Sequence, residues 1–179
     1  MVTSESDLKM LLKALAFAAQ KHRDQRRKDV ESSPYINHPI SLASILCNEG
    51  HVTDTEVICA ALLHDTVEDT DTTAEELEQE FSPAIRHIVM DVTDDKTLGK
   101  AERKQLQIDH AAHISDKAKL VKLADKISNL RDMASCPPSG WDLERRREYF
   151  DWAKAVIDRL RGVHGALETI FDEAYSRRP

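Results

Sequence analysis

The chain contains an uninterrupted apolar run that is followed directly by two ionisable residues, a pattern that strongly limits the folds it can adopt. Residues 57–63 read Val-Ile-Cys-Ala-Ala-Leu-Leu and follow Thr53 and Asp54, either of which can cap a helix. A helix that is apolar on every side is buried. Because His64 and Asp65 come next, the run predicts a buried helix that places an imidazole and a carboxylate at the edge of the core.

The rest of the chain is also typical of helices. Apolar residues recur at helical spacing over residues 8–21, 39–50, 74–81, 83–91, 100–111, 117–133, 143–161 and 166–177. Only 5 Gly, 6 Pro and 5% aromatic residues disfavour a β-sandwich or barrel. We therefore expect an all-α fold, with residues 1–179 forming a single domain and room for one short β-hairpin near residues 26–36.

Composition indicates a soluble globular protein, with 41% hydrophobic and 32% charged residues. Residues 1–13 carry both acidic and basic side chains, and no apolar run approaches the length of a membrane span. The 3 cysteines are odd in number and form no close pair, which predicts free thiols in a reducing compartment. We expect a cytoplasmic protein with no membrane partner.

The charge pattern bears on the ligand. A net charge of −7 disfavours binding to nucleic acid polymers. Basic residues nevertheless group within residues 23–28 and 96–104, which suits a small phosphorylated ligand. On charge alone, solvated surface clusters are the more common explanation.

Two further elements carry polar residues beside apolar ones. In residues 117–133, Asp125 and Asn129 lie one helical turn apart beside the core-forming stripe, and His38 stands at a predicted helix start. Each has an ordinary explanation: acids at a helix surface are solvated, and a lone histidine is more often a cap or a core residue. Taken with His64 and Asp65, they can instead form one site.

The order His38, His64-Asp65, Asp125 resembles the signature of the HD phosphohydrolase superfamily. Five separated segments are similar to the hydrolase domain of RelA/SpoT proteins, above all to its stand-alone metazoan members, the small alarmone hydrolases. These segments are residues 25–29 (QRRKD), 34–39 (PYINHP), 60–70 (AALLHDTVEDT), 92–96 (VTDDK) and 122–126 (KLADK). The resemblance covers residues 14–175, nearly the whole chain.

The resemblance implies a metal-dependent hydrolase that converts guanosine 3′,5′-bis(diphosphate), ppGpp, to GDP and pyrophosphate. It implies that His38, His64, Asp65 and Asp125 bind one Mn²⁺ per chain. Two imidazoles and two carboxylates independently suit Mn²⁺, Fe²⁺ or Zn²⁺ without choosing among them. The length leaves no room for a synthetase domain, so we expect hydrolysis without synthesis.

Further residues receive roles from the same resemblance. Glu68 and Asp69 follow His64 and Asp65 by four residues, so a continuous helix would stack the pairs on one side, where the acids can move protons. The family pattern assigns nucleotide contacts to Arg27, Lys28, Lys100, Asn129, Arg145 and Tyr149.

Three alternatives stay open. The same site can serve as an NADPH 2′-phosphatase or as a general HD nucleotidase, and a degenerate relative can be a nucleotide-sensing binding protein. Residues 27–28 and 93–96 argue against the general nucleotidase. Retention of Glu68 and Asp69 argues against a mere binder, which needs no proton-transferring carboxylates. Val30, Cys136 and Val163 depart from the common pattern of close relatives and bear on substrate preference.

Overall fold

The computed structural model describes residues 4–179, and helices account for most of them, as predicted. Within that range there is no β-strand; the predicted hairpin is reduced to one isolated antiparallel bridge between Arg26 and Pro34. The α-helices are α1 (Glu5–Lys21), α2 (Asn37–Ser44), α3 (Thr55–Leu63), α4 (Thr66–Asp69), α5 (Ala74–Glu80), α6 (Pro83–Val92), α7 (Lys100–His110), α8 (Asp116–Ser135), α9 (Leu143–Asp158) and α10 (Gly165–Tyr175).

Side-chain caps fix where several helices begin. Asp54, rather than Thr53, caps α3 by accepting hydrogen bonds from the amides of Glu56 and Val57. Such a cap contributes about 1 kcal/mol. Equivalent side-chain caps begin α1, α5, α6, α8, α9 and α10, through Ser4, Thr73, Ser82, Ser115, Asp142 and His164.

Helix α3 is the centre of the fold. It packs against α1, α2, α6 and α8. All seven residues of its apolar run, 57–63, are buried, which confirms the prediction. Each large side chain buried there stabilises the fold by roughly 1.5–3 kcal/mol.

The expected continuous helix through Asp69 is wrong. Helix α3 ends at Leu63, Asp65 adopts φ −100° and ψ 0°, and α4 begins at Thr66. The hydroxyl of Thr66 donates a 2.7 Å hydrogen bond to the carbonyl of Leu63, which satisfies an acceptor at the helix end. The amide of Asp69 still donates to the carbonyl of Asp65 (2.8 Å), so the interruption is confined to residues 64–65.

The loop between α1 and α2 is held by few backbone contacts. The amide of Arg27 donates to the carbonyl of Ser33 (2.9 Å), and that of Tyr35 to Gln25 (3.1 Å). The next two amides that could extend the pairing donate elsewhere, that of Ser33 to Oδ1 of Asp29 (3.0 Å) and that of Gln25 to the carbonyl of His22 (3.0 Å), so no hairpin ladder forms.

Helix α2 continues into a π-helical turn, Ile45–Glu49, that ends at Gly50. A Cβ atom at Gly50 would lie 2.8 Å from Cδ2 of Leu167 in α10 and 3.0 Å from the carbonyl oxygen of Leu46, so any other residue here would force its neighbours to shift. None of the helices in residues 4–179 is long and apolar enough to cross a membrane. Cys47, Cys59 and Cys136 are all unpaired, in agreement with the prediction of free thiols.

Candidate active site

A cleft of about 500 Å³ opens where α2, the α3–α4 junction and α8 meet the loop after α1. Its wall contains His38, His64, Asp65 and Asp125, the four predicted metal ligands. The fold thus brings together residues from three separate parts of the chain, as the family resemblance implies.

Three of the four form a compact cluster. One ligand atom each from His38, His64 and Asp65 lies within 4.8 Å of the others. The two imidazole rings meet edge to face, with centroids 5.3 Å apart. Nε2 of His64 is 2.8 Å from Oδ2 of Asp65, and both histidine side chains are more than nine-tenths buried.

Asp125 joins the cluster from α8. Its Oδ1 lies 3.3 Å from Nε2 of His38. The ammonium of Lys126 donates to Oδ2 (2.9 Å), and the amide of Asn129 donates to Oδ1 (2.6 Å). Burial alone would raise the pKa of Asp125, but the charge of Lys126 and the contact with His38 outweigh it and hold that pKa well below its ordinary value.

Nδ1 of each of the two histidines contacts a neighbouring oxygen atom. Nδ1 of His64 lies 2.9 Å from the carbonyl of Ala61, and Nδ1 of His38 lies 3.3 Å from the hydroxyl of Ser128. Partners of this kind fix the tautomer and orientation of a ligating imidazole. Nε2 of each ring is left to face the carboxylates.

This donor set fits a divalent cation. Ligand atoms of two buried imidazoles and of the Asp65 carboxylate lie close together, the Asp125 carboxylate lies beside His38, and Nδ1 of each ring already contacts an oxygen. Two nitrogens and carboxylate oxygens, with no thiolate, suit Mn²⁺, Fe²⁺ or Zn²⁺.

The pKa values of the cluster residues show how strongly their charges act on one another. Burial lowers the pKa of His64, yet the adjacent Asp65 carboxylate more than offsets this and raises it to about 9. Burial dominates at His38 and lowers its pKa. The pKa of Asp65 lies far below its ordinary value because His64 outweighs the effect of burial. Such opposed shifts in one cleft are typical of functional sites.

Tyr35 is a residue of the site that we did not single out from the sequence. Its hydroxyl donates a hydrogen bond to Oδ2 of Asp65, and burial beside that carboxylate raises its pKa. The available signal was its position three residues before His38 within a motif that already resembled the family.

The two candidate acids of α4 lie in different surroundings. Glu68 lines the cleft; the backbone amide of Asp94 donates to its Oε2 (3.1 Å), and Arg103 approaches its Oε1 at 3.7 Å. Burial raises the pKa of Glu68, only partly opposed by the hydrogen bond from Asp94.

Asp69 does not line the cleft. The ammonium of Lys96 donates to its Oδ1, and the side-chain amide of Gln25 donates to its Oδ2 at 2.8 Å. Its carboxylate thus ties the loop after α1 to the loop after α6. Glu68 therefore shares the cleft with the four candidate ligands, whereas Asp69 does not.

Four of the predicted nucleotide contacts line the cleft: Arg27, Lys28, Asn129 and Tyr149. Arg27 forms a 2.6 Å ion pair with Asp132, two turns along α8 from Asp125. Burial raises the pKa of Tyr149 to about 12, so its hydroxyl stays protonated and can donate.

The other two, Lys100 and Arg145, do not line the cleft. Both lie against the ring of Trp141, with Arg145 Cζ at 4.2 Å and Lys100 Nζ at 5.9 Å from its centroid. Trp141 itself lines the cleft, so the two cations stand at its rim. Trp141 is a second residue that the sequence did not indicate.

Two buried lysines on α8 complete the cleft wall. Lys126 pairs with Asp125 and lies 4.3 Å from the centroid of Trp152. Lys122 lies one turn earlier and has its pKa lowered to about 8, by burial first and then by Lys126. Neither was singled out as a site residue, although both stand in a segment that resembled the family.

Known proteins are similar to this chain over nearly its whole length. Residues 14–151 match the model of the HD domain family. The chain is 58% identical over 170 residues, covering 95% of both chains, to a Xenopus tropicalis protein named guanosine-3′,5′-bis(diphosphate) 3′-pyrophosphohydrolase MESH1. The Homo sapiens protein of the same name is 54% identical over 173 residues, covering 97% of both chains.

Solved structures give the same result. The structure described as "A metazoan ortholog of SpoT hydrolyzes ppGpp and plays a role in starvation responses" superimposes with a TM-score of 0.93 at 49% identity, covering 99% of this chain and 98% of the other. Family model, near full-length sequence identity and fold therefore agree that this chain belongs to the HD domain family and, within it, to the RelA/SpoT-type branch that includes the MESH1 proteins.

Proposed function

We propose that this chain is a metal-dependent guanosine 3′,5′-bis(diphosphate) 3′-pyrophosphohydrolase without synthetase activity. The observation that carries the proposal is the cluster of His38, His64, Asp65 and Asp125, which shares one cleft with Glu68. It stands in a chain 58% identical, over 95% of its length, to a protein named for that activity.

The cluster is proposed to hold one Mn²⁺ through Nε2 of His38 and His64 and the carboxylates of Asp65 and Asp125. A bound divalent cation supplies Lewis acidity: it acidifies water and polarises a phosphoryl oxygen. Ser128, Ala61 and Tyr35 keep three of the ligands oriented toward this position.

The proposed reaction breaks the bond between the 3′-oxygen of the ribose and the adjacent phosphorus. The oxygen of a water molecule attacks that phosphorus, the 3′-oxygen leaves with the bonding electrons, and one proton passes from the water to the 3′-oxygen. GDP and pyrophosphate result. Glu68 is proposed to carry that proton, because it lines the cleft and its raised pKa suits a group that both accepts and donates.

The remaining cleft residues are proposed to bind the nucleotide. The guanidinium of Arg27 is held in place by Asp132 and can stack on guanine or contact a phosphate. Asn129 and Tyr149 offer donors within the cleft, and Lys28 adds a charge to its wall. Lys100 and Arg145, at the rim beside Trp141, are proposed to attract the outer phosphates.

Product analysis tests this proposal. Purified protein with Mn²⁺ should convert ppGpp to GDP and pyrophosphate in equal amounts. Release of orthophosphate from ppGpp, or no turnover of ppGpp while NADPH loses its 2′-phosphate, would contradict it. Incubation with ATP and GDP should yield no ppGpp.

A further inference from the structure

Helix α7 closes one side of the cleft without a buried residue of its own. Two of its side chains face the site from successive turns: Arg103, which approaches Glu68, and Gln107, which lines the cleft. The half-buried Ile108 packs α7 against the core, and these polar side chains hold the face of α7 that meets the site.

Gln107 makes the most extensive of these contacts. Its Nε2 lies 2.9 Å and 2.8 Å from the two carboxylate oxygens of Asp94. Its Oε1 accepts a hydrogen bond of 3.3 Å from Nζ of Lys122. One side chain thus uses its donor and its acceptor to join α7, the loop after α6 and α8.

Lys122 fixes the far end of this arrangement. It is 8% exposed, and besides Gln107 it donates to the carbonyl of Val92 at 3.3 Å. Val92 is the last residue of α6 and precedes the loop that contains Asp94. Lys122 therefore holds the end of α6 directly and the loop after it through Gln107.

The loop in turn holds Glu68. The backbone amide of Asp94 donates to Oε2 of Glu68 at 3.1 Å. The side chain of the same residue accepts from Gln107, so both hydrogen bonds act on Asp94. The contacts run without a break from Lys122 through Gln107 and Asp94 to the carboxylate that faces the metal ligands.

We propose that Gln107 is a positioning residue for the hydrolysis: acting through Asp94, it fixes the carboxylate of Glu68 in the geometry that proton transfer requires. The inference rests on the proposed role of Glu68 and names a residue of α7 through which that role is controlled. Gln107 neither moves a proton nor binds the metal.

Gln107→Glu selectively tests the contact between Gln107 and Asp94. It keeps the size of the side chain and an acceptor for Lys122, but it places a carboxylate against Asp94 in place of the donor. We expect kcat for ppGpp to fall by about 10-fold to 100-fold, because small displacements of a catalytic group are costly. KM and Mn²⁺ content should stay at their wild-type values. Gln105→Glu is the matched control, since Gln105 lies on the same helix, is exposed and donates a hydrogen bond to Asp109; its kcat should be unchanged.

Two double variants distinguish a positioning role of Gln107 from a general disturbance of the structure. In the Glu68→Gln background, Gln107→Glu should lower kcat by less than about 2-fold, since residues that act as a unit are not additive. Asp94→Asn combined with Gln107→Glu reverses the hydrogen bond, with the new amide donating to the new carboxylate. This pair should recover most of the kcat that Gln107→Glu alone loses.

Three results would overturn the inference. The first is a wild-type kcat in Gln107→Glu. The second is a loss of kcat from Gln107→Glu that is as large in the Glu68→Gln background as in the wild type. The third is no recovery of kcat in the Asp94→Asn, Gln107→Glu double variant when its melting temperature equals that of the wild type. Any of these in a protein that hydrolyses ppGpp leaves the proposed function intact. A wild-type protein without ppGpp turnover contradicts the proposed function, and the inference falls with it.

Discussion

The hydroxyl of Tyr35 donates a hydrogen bond to Oδ2 of Asp65, joining the loop before α2 to the residue where α3 gives way to α4. The same Asp65 oxygen lies 2.8 Å from Nε2 of His64. One phenol therefore orients a carboxylate on which the proposed metal site depends, although the two residues are far apart in sequence.

Tyr35→Phe should weaken Mn²⁺ binding by roughly 10-fold to 100-fold, as expected when a group that orients a ligand is lost. The apolar ring remains, so its packing against His22 should persist. Calorimetric titration of the metal-free protein measures the change. Tyr175→Phe, which removes a hydroxyl that contacts Asp151, is the control. Equal affinity in wild type and Tyr35→Phe would show that the hydrogen bond plays no part in metal binding.

Glu68→Gln should keep the metal and lower kcat by about 10²-fold to 10⁴-fold, the usual range for loss of a general acid or base. Asp69→Asn should lower kcat less, because Asp69 is engaged by Lys96 and Gln25 and does not line the cleft. Metal analysis beside steady-state kinetics checks both. A near-normal kcat in Glu68→Gln, or a larger loss in Asp69→Asn, would assign the proton transfer elsewhere.

Arg27→Ala should raise KM for ppGpp by about 10-fold to 100-fold, which corresponds to the loss of one hydrogen bond to a charged group. Metal content should not change, since Arg27 contacts Asp132 and none of the proposed ligands. Arg23→Ala, which removes an exposed cation of the same loop paired with Asp24, is the control. Loss of the metal in Arg27→Ala would mean that this loop supports the ligand cluster rather than the substrate.

Gly50→Ala should lower the free energy of unfolding by roughly 1–3 kcal/mol, the usual cost of overpacking. The added methyl group would meet the buried Leu167 and the carbonyl of Leu46. Gly165→Ala is the matched control, because nothing lies within 4 Å of a methyl group there. Urea unfolding measures both variants, and equal stability in the two would show that the contact between Gly50 and α10 is loosely packed.

The sequence predicted the parts of this fold that depend on pattern. Residues 57–63 are apolar on every side and can only be buried, and they form the central helix. The four proposed ligands meet because their helices cross beside this core. His38 and Asp125 required the family resemblance, since a lone histidine or aspartate carries little information by itself.

Other parts depend on tertiary contacts that no local pattern encodes. The end of α3 at Leu63 rests on the hydroxyl of Thr66, and the direction of Asp65 rests on Tyr35. Lysine is rarely buried, so its residue type alone predicts that Lys122 lies at the surface. It is buried because α6 and α7 supply its acceptors, and only the folded chain shows that they do.

We propose that ppGpp hydrolysis depends on a metal held by the buried cluster, and metal removal followed by reconstitution is the decisive experiment. Wild-type protein and Asp65→Asn are stripped with a chelator, dialysed and assayed for metal content and ppGpp turnover before and after addition of Mn²⁺. The wild type should be inactive when stripped and should recover turnover as one Mn²⁺ binds per chain, whereas Asp65→Asn should recover neither metal nor activity. Full turnover of ppGpp by the stripped wild-type protein, or full recovery in Asp65→Asn, would contradict this account.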